Sequence, residues 1–222
     1  MKRTLYFILV MLMSAIIISC KGSDIKKESN EKQEDKFNSK IATQTVKNYL
    51  EAISKGDINT AKKLSVEKMR DKSLEFISPD INISGYSLED TNELKESLLI
   101  KVKVSRVSNK DSRANLDSYS IKVIKEDTED YKISDIKVTT EKEAFYEEGE
   151  IRIRNKDNVK TNLLIDKSGI PQYGFSKNDK GNMVKISVPK TNFGTIAFSF
   201  SGDRIAITTY DKDSFVSIVK LD

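Results

Sequence analysis

A helical repeat of apolar residues begins just after Phe37. It places five apolar side chains on one face of a helix, at Ala42, Val46, Tyr49, Leu50 and Ile53. Asn38 or Ser39 can cap the start of this helix, and the pair Lys55-Gly56 is typical of a helix end. Asp57 can then cap a second, shorter helix, whose apolar face comprises Ile58, Ala61 and Leu64. The pattern therefore predicts two helices joined by a tight corner.

From residue 81 onward the apolar period changes to two, which is typical of strands with one face in contact with water. The alternating apolar positions are Ile81 and Ile83, then Ile100, Val102 and Val104, then Tyr119, Ile121 and Val123. The segment Tyr131–Val138 continues the alternation, but Ile133 and Ile136 differ in parity, so we expect a bulge near Asp135. These segments predict an antiparallel sheet.

The C-terminal part, residues 143–222, has strand character again. Phe193–Tyr210 contains two apolar strands around a Ser201-Gly202-Asp203 turn, and Phe215–Leu221 supplies a third strand. This meander resembles one blade of a bacterial β-propeller, but a single blade cannot close a ring. The sequence therefore predicts a small β-rich module at 143–222 and excludes a complete propeller.

A second resemblance concerns the helical corner. Val46–Ile53, followed by Lys55-Gly56-Asp57 and then Ala61–Leu64, resembles the opening of nuclear transport factor two-like domains. Tyr131–Ile136 is similar to the last strand of small bacterial lipoproteins of that group. The resemblance covers residues 37–140 and implies a cone-shaped domain with a possible pocket. The expected fold class is thus α+β: N-terminal helices packed on a curved antiparallel sheet, followed by the small β-rich module.

The N-terminus has the layout of a signal peptide. Lys2 and Arg3 precede an apolar run from Leu5 to Ile18, which is followed by a small residue and the single cysteine. The run is short for a membrane span, which needs about 20 apolar residues. A true transmembrane anchor and simple secretion are the alternatives to a lipoprotein signal.

The cleavage region separates these alternatives, because Ile17-Ile18-Ser19-Cys20 resembles the bacterial lipobox. The resemblance implies cleavage of a signal peptide at 1–19, between Ser19 and Cys20, and attachment of lipid to the Cys20 sulfur. A single cysteine also has no intramolecular disulfide partner. We therefore predict a protein held by lipid at the cell membrane, on its extracytoplasmic face.

Residues 20–36 are predicted to be a flexible tether behind the lipidated cysteine. Lys21–Lys36 contains five lysines, five acidic residues and a single aliphatic residue, Ile25, so it cannot bury enough apolar area to fold. A loose chain of this length spans on the order of 20 Å. Lys2 and Arg3 contribute two of the four net positive charges, and the remaining +2 is too small to indicate a nucleic-acid partner.

Composition excludes several kinds of chemistry. The chain has no histidine, which removes the usual base of serine and cysteine hydrolases and the histidine ligands of catalytic zinc. Its nine glycines form no phosphate-binding spacing. We predict no catalytic, cofactor or metal site, while an enzyme that works without histidine stays open.

Other residue groups have both a structural and a functional interpretation. Asn178–Asn182 and Asp211–Ser214 are rich in potential calcium ligands, but turns are favoured because these residue types suit turns and the EF-hand spacing is absent. Arg152 and Arg154 could grip an anion, although a solvated strand face is favoured. Core packing is likewise favoured for the four aromatic residues that could line a cone interior, Tyr49, Phe76, Tyr119 and Tyr131.

Three function classes follow, in order of preference. The first is a non-catalytic binding or scaffold protein that contacts an envelope protein or a cell-wall component. The second is a small-molecule binder that uses the cone pocket, and the third is an enzyme without histidine. Outward display on a tether and the absence of a recognisable catalytic group place the first class ahead.

Overall fold

In a computed structural model, the described residues belong to one compact unit, which lies within Lys36–Asp222. The described residues are 37–72, 76, 80–108, 110–127, 130–156, 161–166, 168–170, 172–188, 192–211 and 214–221. The predictions about the signal peptide, Ser19, Cys20 and the tether lie outside these residues.

The predicted helical corner is confirmed. Helix α1 spans Ser39–Ser54, and the Asn38 side chain accepts hydrogen bonds from two backbone N–H groups of its first turn. Gly56 follows α1 in the left-handed conformation, with φ of 70°. Helix α2, Ile58–Lys63, begins at Asp57, whose carboxylate accepts from the Thr60 N–H, and a 3-10 turn spans Glu67–Met69.

Six antiparallel strands follow one another in one sheet, each paired with the next along the chain. They are β1 Ile81–Leu94, β2 Ser97–Ser108, β3 Arg113–Lys125, β4 Tyr131–Glu147, β5 Glu150–Asn155 and β6 Asn162–Asp166. The register of β3 and β4 shifts between the pairs Lys122–Asp135 and Val123–Ile133. The bulge predicted near Asp135 is therefore confirmed.

The remaining strands form a hairpin and a three-stranded sheet. Hairpin β7–β8 comprises Tyr173–Lys177 and Met183–Ser187. The sheet comprises β9 Asn192–Phe198, β10 Arg204–Tyr210 and β11 Ser214–Lys220, in the order β11-β10-β9. This is the three-strand meander that the C-terminal pattern predicts.

The α+β fold class is wrong, because the described chain is mostly β and its main element is a curled six-stranded antiparallel sheet. The helical repeat is confined to residues 39–63, and α2 has only six residues, whereas the period of two continues through most of 81–220. β4 itself has 17 residues and runs through the predicted boundary at 140–143. Its last residues, Lys142–Glu147, pair with β5, so strands from both predicted domains share one sheet.

The sheet has a hydrophobic core on each face. On β3 the odd-numbered Tyr119, Ile121 and Val123 belong to the first core, which α1 covers. The even-numbered Ala114 and Leu116 belong to the second core, together with apolar residues of β5, β9 and β10. Since side chains alternate between faces, the two cores lie on opposite sides of the strand. The buried positions of β3 change from even-numbered to odd-numbered between Leu116 and Asp117, where the register against β4 also shifts.

Candidate functional site

A buried ion pair lies where β2 and β3 meet on the first-core face. The Arg106 guanidinium donates through Nε to Asp117 Oδ2. The Asp117 side chain is fully buried, and that of Arg106 is 19% exposed. Asp117 lies opposite Val104, and Tyr119 lies opposite Val102, so all of these side chains share one face. We call Arg106, Asp117 and Tyr119 the Asp117 cluster.

Two polar atoms of the Asp117 cluster are buried without a hydrogen-bond partner among the described residues. They are Asp117 Oδ1 and the hydroxyl of Tyr119. Burial raises the pKa of Tyr119; the Asp117 carboxylate acts in the same direction, and the Arg106 guanidinium opposes it. The phenol therefore stays neutral at physiological pH. The carboxylate oxygen can accept one further hydrogen bond, and the neutral hydroxyl can donate or accept one.

Aromatic packing surrounds this cluster. The Phe76 ring centroid lies 5.7 Å from that of Tyr119, and Phe37 meets Tyr131 edge-on at 5.1 Å. Tyr49 and Tyr119 are fully buried, and the Tyr131 hydroxyl accepts a 2.6 Å hydrogen bond from the Asn38 N–H. The favoured interpretation of these aromatic residues as core packing is confirmed, since all four contribute to the first core.

Arg106 and Asp117 are not predicted as site residues from the sequence. The signal for Asp117 was present, because it stands at a first-core position in the alternating strand that continues to Tyr119 and Ile121. A charged residue at a core position needs a partner. Arg106 becomes recognisable as that partner only from the register of β2 against β3, which the alternation leaves undefined.

The outward face of the three-stranded sheet carries exposed apolar side chains on β11. Val216 is 56% exposed and Ile218 is 70% exposed. They lie opposite Thr208 and Ala206 of β10, on the face away from the second core. β11 pairs with β10 on one side, and no described strand pairs with its other side. We call Val216 and Ile218, with the free edge of their strand, the β11 face.

Hairpin β7–β8 presents a second exposed apolar surface. Phe175 and Met183 are 66% and 63% exposed, and Tyr173 is also exposed. The register places Phe175 opposite Lys185 and Met183 opposite Lys177, so these side chains share one face. The Lys185 ammonium lies 3.9 Å from the centroid of the Tyr173 ring. We call this mixed apolar and basic surface the hairpin face.

The arginines that could have gripped an anion are instead matched by carboxylates. Arg152 pairs with Glu150 at 2.6 Å and with Glu147 at 3.5 Å, while Arg154 pairs with Glu143. The alternating Ile151 is fully buried in the second core. The favoured interpretation, a strand with one charged and solvated face, agrees with these contacts.

The first of the two calcium-like segments is a turn. Residues 178–182 join β7 to β8, and the Asn178 side-chain oxygen accepts from the N–H groups of Lys180 and Asn182. Gly181 takes the positive φ of 77° that this turn requires. Across the part of the chain that is described, no three acidic or cysteine side chains converge as metal ligands would.

Comparison with known protein families, with characterised proteins and with solved structures gives no match. None of the helices described here is both long enough and apolar enough to cross a membrane. A functional proposal therefore rests on the chemistry of the Asp117 cluster, the β11 face and the hairpin face.

Proposed function

We propose that this protein is a lipoprotein, anchored through Cys20 to the extracytoplasmic face of the cell membrane, and that its folded body is a non-catalytic binding or scaffold protein of the envelope. The signal layout and the lipobox resemblance at Ile17–Cys20 support the anchor. The folded unit begins close to Phe37, directly after the segment that the sequence predicts to be a tether.

The β11 face is the observation that carries the binding role. A free strand edge offers a row of backbone N–H and C=O groups to an added strand. Natural edges are usually blunted by proline, bulges or inward charges, but Ser214–Lys220 contains no proline and only one charge, at its last residue. Val216 and Ile218 add apolar contacts beside that edge. We infer that the partner supplies an extended apolar segment that pairs with β11.

Crosslinking and co-purification from the native membrane test this role. Val216→Lys and Ile218→Lys place charges on the β11 face, and both side chains are exposed, so the fold should tolerate them. Leu163→Lys is the matched control, because Leu163 is 52% exposed on β6 at the edge of the other sheet.

A partner recovered in near-stoichiometric yield with wild type and the Leu163 variant, and lost with both β11 variants, supports the proposal. If wild type and all three variants instead purify alone and release the same small molecule on denaturation, small-molecule binding replaces partner binding as the preferred function.

A small-molecule binder is the second candidate, and the Asp117 cluster favours it. Asp117 Oδ1 and the Tyr119 hydroxyl are buried polar atoms that a bound polar molecule would satisfy. Burial of Tyr49 and Tyr131 counts against a large ligand, because these side chains occupy the interior that a deep pocket would need. Mass spectrometry of material released from the native protein tests this candidate. Tyr119→Phe should no longer retain the bound molecule.

An enzyme without histidine stays the third choice. A buried aspartate beside a tyrosine of raised pKa is the arrangement that would support it. We also propose a relationship of residues 37–140 to nuclear transport factor two-like domains, which the resemblance of Val46–Leu64 and Tyr131–Ile136 supports.

A further inference from the structure

The hairpin face keeps its apolar side chains in solvent because the opposite face of the hairpin is already packed. Gly174, between Tyr173 and Phe175, is buried directly against the ring of Phe215, which leaves no room for a Cβ. Ile186, opposite Gly174, is partly buried on the same side. With that side occupied, alternation along β7 turns Tyr173 and Phe175 outward. The hairpin is thus built to display these side chains.

Charge distinguishes the hairpin face from the other exposed apolar surface. Residues 172–188 contain Lys177, Lys180 and Lys185 and a single acidic residue, Asp179, so the hairpin carries a net charge of +2. All three lysines are exposed. In contrast, the only charged residue on strand β11 is its terminal Lys220. Aromatic and methionine side chains surrounded by lysines suit the boundary between acyl chains and anionic headgroups.

We propose that the hairpin face docks on the surface of a membrane that contains anionic lipids, with Phe175 and Met183 entering the headgroup region. Lysine side chains can keep their ammonium groups among the phosphates while their aliphatic stems cover apolar surface. This inference deepens the proposed function and rests on it, because the anchor at Cys20 would keep the folded chain beside the membrane. Such an anchor raises the effective concentration of membrane surface around the protein, so the hairpin face itself needs only a modest affinity for lipid.

Vesicle binding by the mature chain without its lipid tests the proposal. Residues 21–222 retain the whole compact unit, so the fold is kept while the covalent anchor is absent. The chain should co-sediment with vesicles of phosphatidylcholine and phosphatidylglycerol at low salt, and the binding should weaken as salt rises. Phe175→Ser should weaken it about ten-fold. Lys185→Gln should weaken it about five-fold.

Ile218→Ser is the matched control, because Ile218 is as exposed as Phe175 but lies on the β11 face. It should leave vesicle binding unchanged. Equal losses for Ile218→Ser and Phe175→Ser would overturn the proposal, as would failure of wild type to bind or equal binding to pure phosphatidylcholine.

A fluorescent probe gives a second, independent measurement. The chain contains no tryptophan, so Phe175→Trp introduces a single reporter at the centre of the hairpin face. Its emission should shift to the blue on addition of phosphatidylglycerol vesicles, whereas Ile218→Trp should not respond. No shift for Phe175→Trp, or the same shift in both variants, contradicts membrane docking.

Lipid labelling of Cys20 in cells reports on the anchor alone. Wild type and Phe175→Ser should be labelled equally. Loss of vesicle binding with intact labelling would therefore overturn the hairpin proposal but leave the anchor in place. Vesicle binding without labelling would instead overturn the proposed anchor.

Discussion

Removing Arg106 should destabilise the protein strongly, because it leaves the Asp117 carboxylate buried without its counter-charge. Breaking a buried ion pair by removing one partner costs about 3–5 kcal/mol. The Arg106 side chain is 19% exposed, so part of the pair already feels solvent and the lower end applies. We expect Arg106→Met to lower the free energy of unfolding by about 3 kcal/mol. In a chain of this size, that corresponds to a fall in Tm of about 6–12 °C.

A double-mutant cycle separates the ion pair from simple packing. Asp117→Leu should lower the free energy of unfolding less than Arg106→Met does, because the partly exposed guanidinium can turn towards water. The double variant Arg106→Met/Asp117→Leu replaces the pair by apolar groups and should recover most of the loss. Urea denaturation at constant m-value measures all four proteins. Additive effects, or a loss below about 1 kcal/mol for Arg106→Met, would refute the reasoning.

Two further predictions concern stability. Burial raises the pKa of Tyr119 above its value in the unfolded chain. The stability that the neutral phenol contributes is therefore complete below about pH 10. Above that, the free energy of unfolding falls by about 1.4 kcal/mol per pH unit, until the pH reaches the pKa of Tyr119 in the folded chain. The alkaline fall in unfolding free energy should therefore be shallower for Tyr119→Phe, and identical pH profiles would count against a buried neutral phenol. Gly181→Ala should lower the free energy of unfolding by about 1 kcal/mol, because φ is positive there but nothing lies within 4 Å of the new Cβ. Gly202→Ala should lower it by at least about 1 kcal/mol more, because φ is again positive and the new Cβ would lie 2.5 Å from Leu116 Cδ2. Denaturation midpoints compare the two glycine variants, and equal losses would show that Leu116 moves aside freely.

Local features of the fold could be predicted from the sequence because they depend on neighbouring residues. The caps at Asn38 and Asp57, the end of α1 at Gly56 and the bulge near Asp135 each follow from residues a few positions apart. The assignment of strands to sheets is not local. Strand character continues through β4 beyond the bulge near Asp135, so nothing in the pattern shows that the same strand serves both predicted domains.

The candidate sites differ in the same way. The lipobox resemblance at Cys20 is a contiguous motif, so it can be recognised without a structure. The partnership of Arg106 and Asp117 depends on the register of two strands. The exposure of Phe175 depends on Gly174 packing against Phe215, which lies 41 positions away along the chain. Apolar residues in an alternating strand are normally expected to face a core, so the pattern alone predicts burial there.

Lipid attachment at Cys20 is the central claim, and one comparison tests it most directly. Cells that express wild type or Cys20→Ala are grown with a radiolabelled fatty acid, and the membrane and soluble fractions are examined for labelled protein. We predict that wild type carries the label in the membrane fraction, whereas Cys20→Ala carries none and either stays unprocessed or appears in the medium. Equal membrane retention of two unlabelled proteins would contradict the lipoprotein assignment and favour an uncleaved apolar anchor.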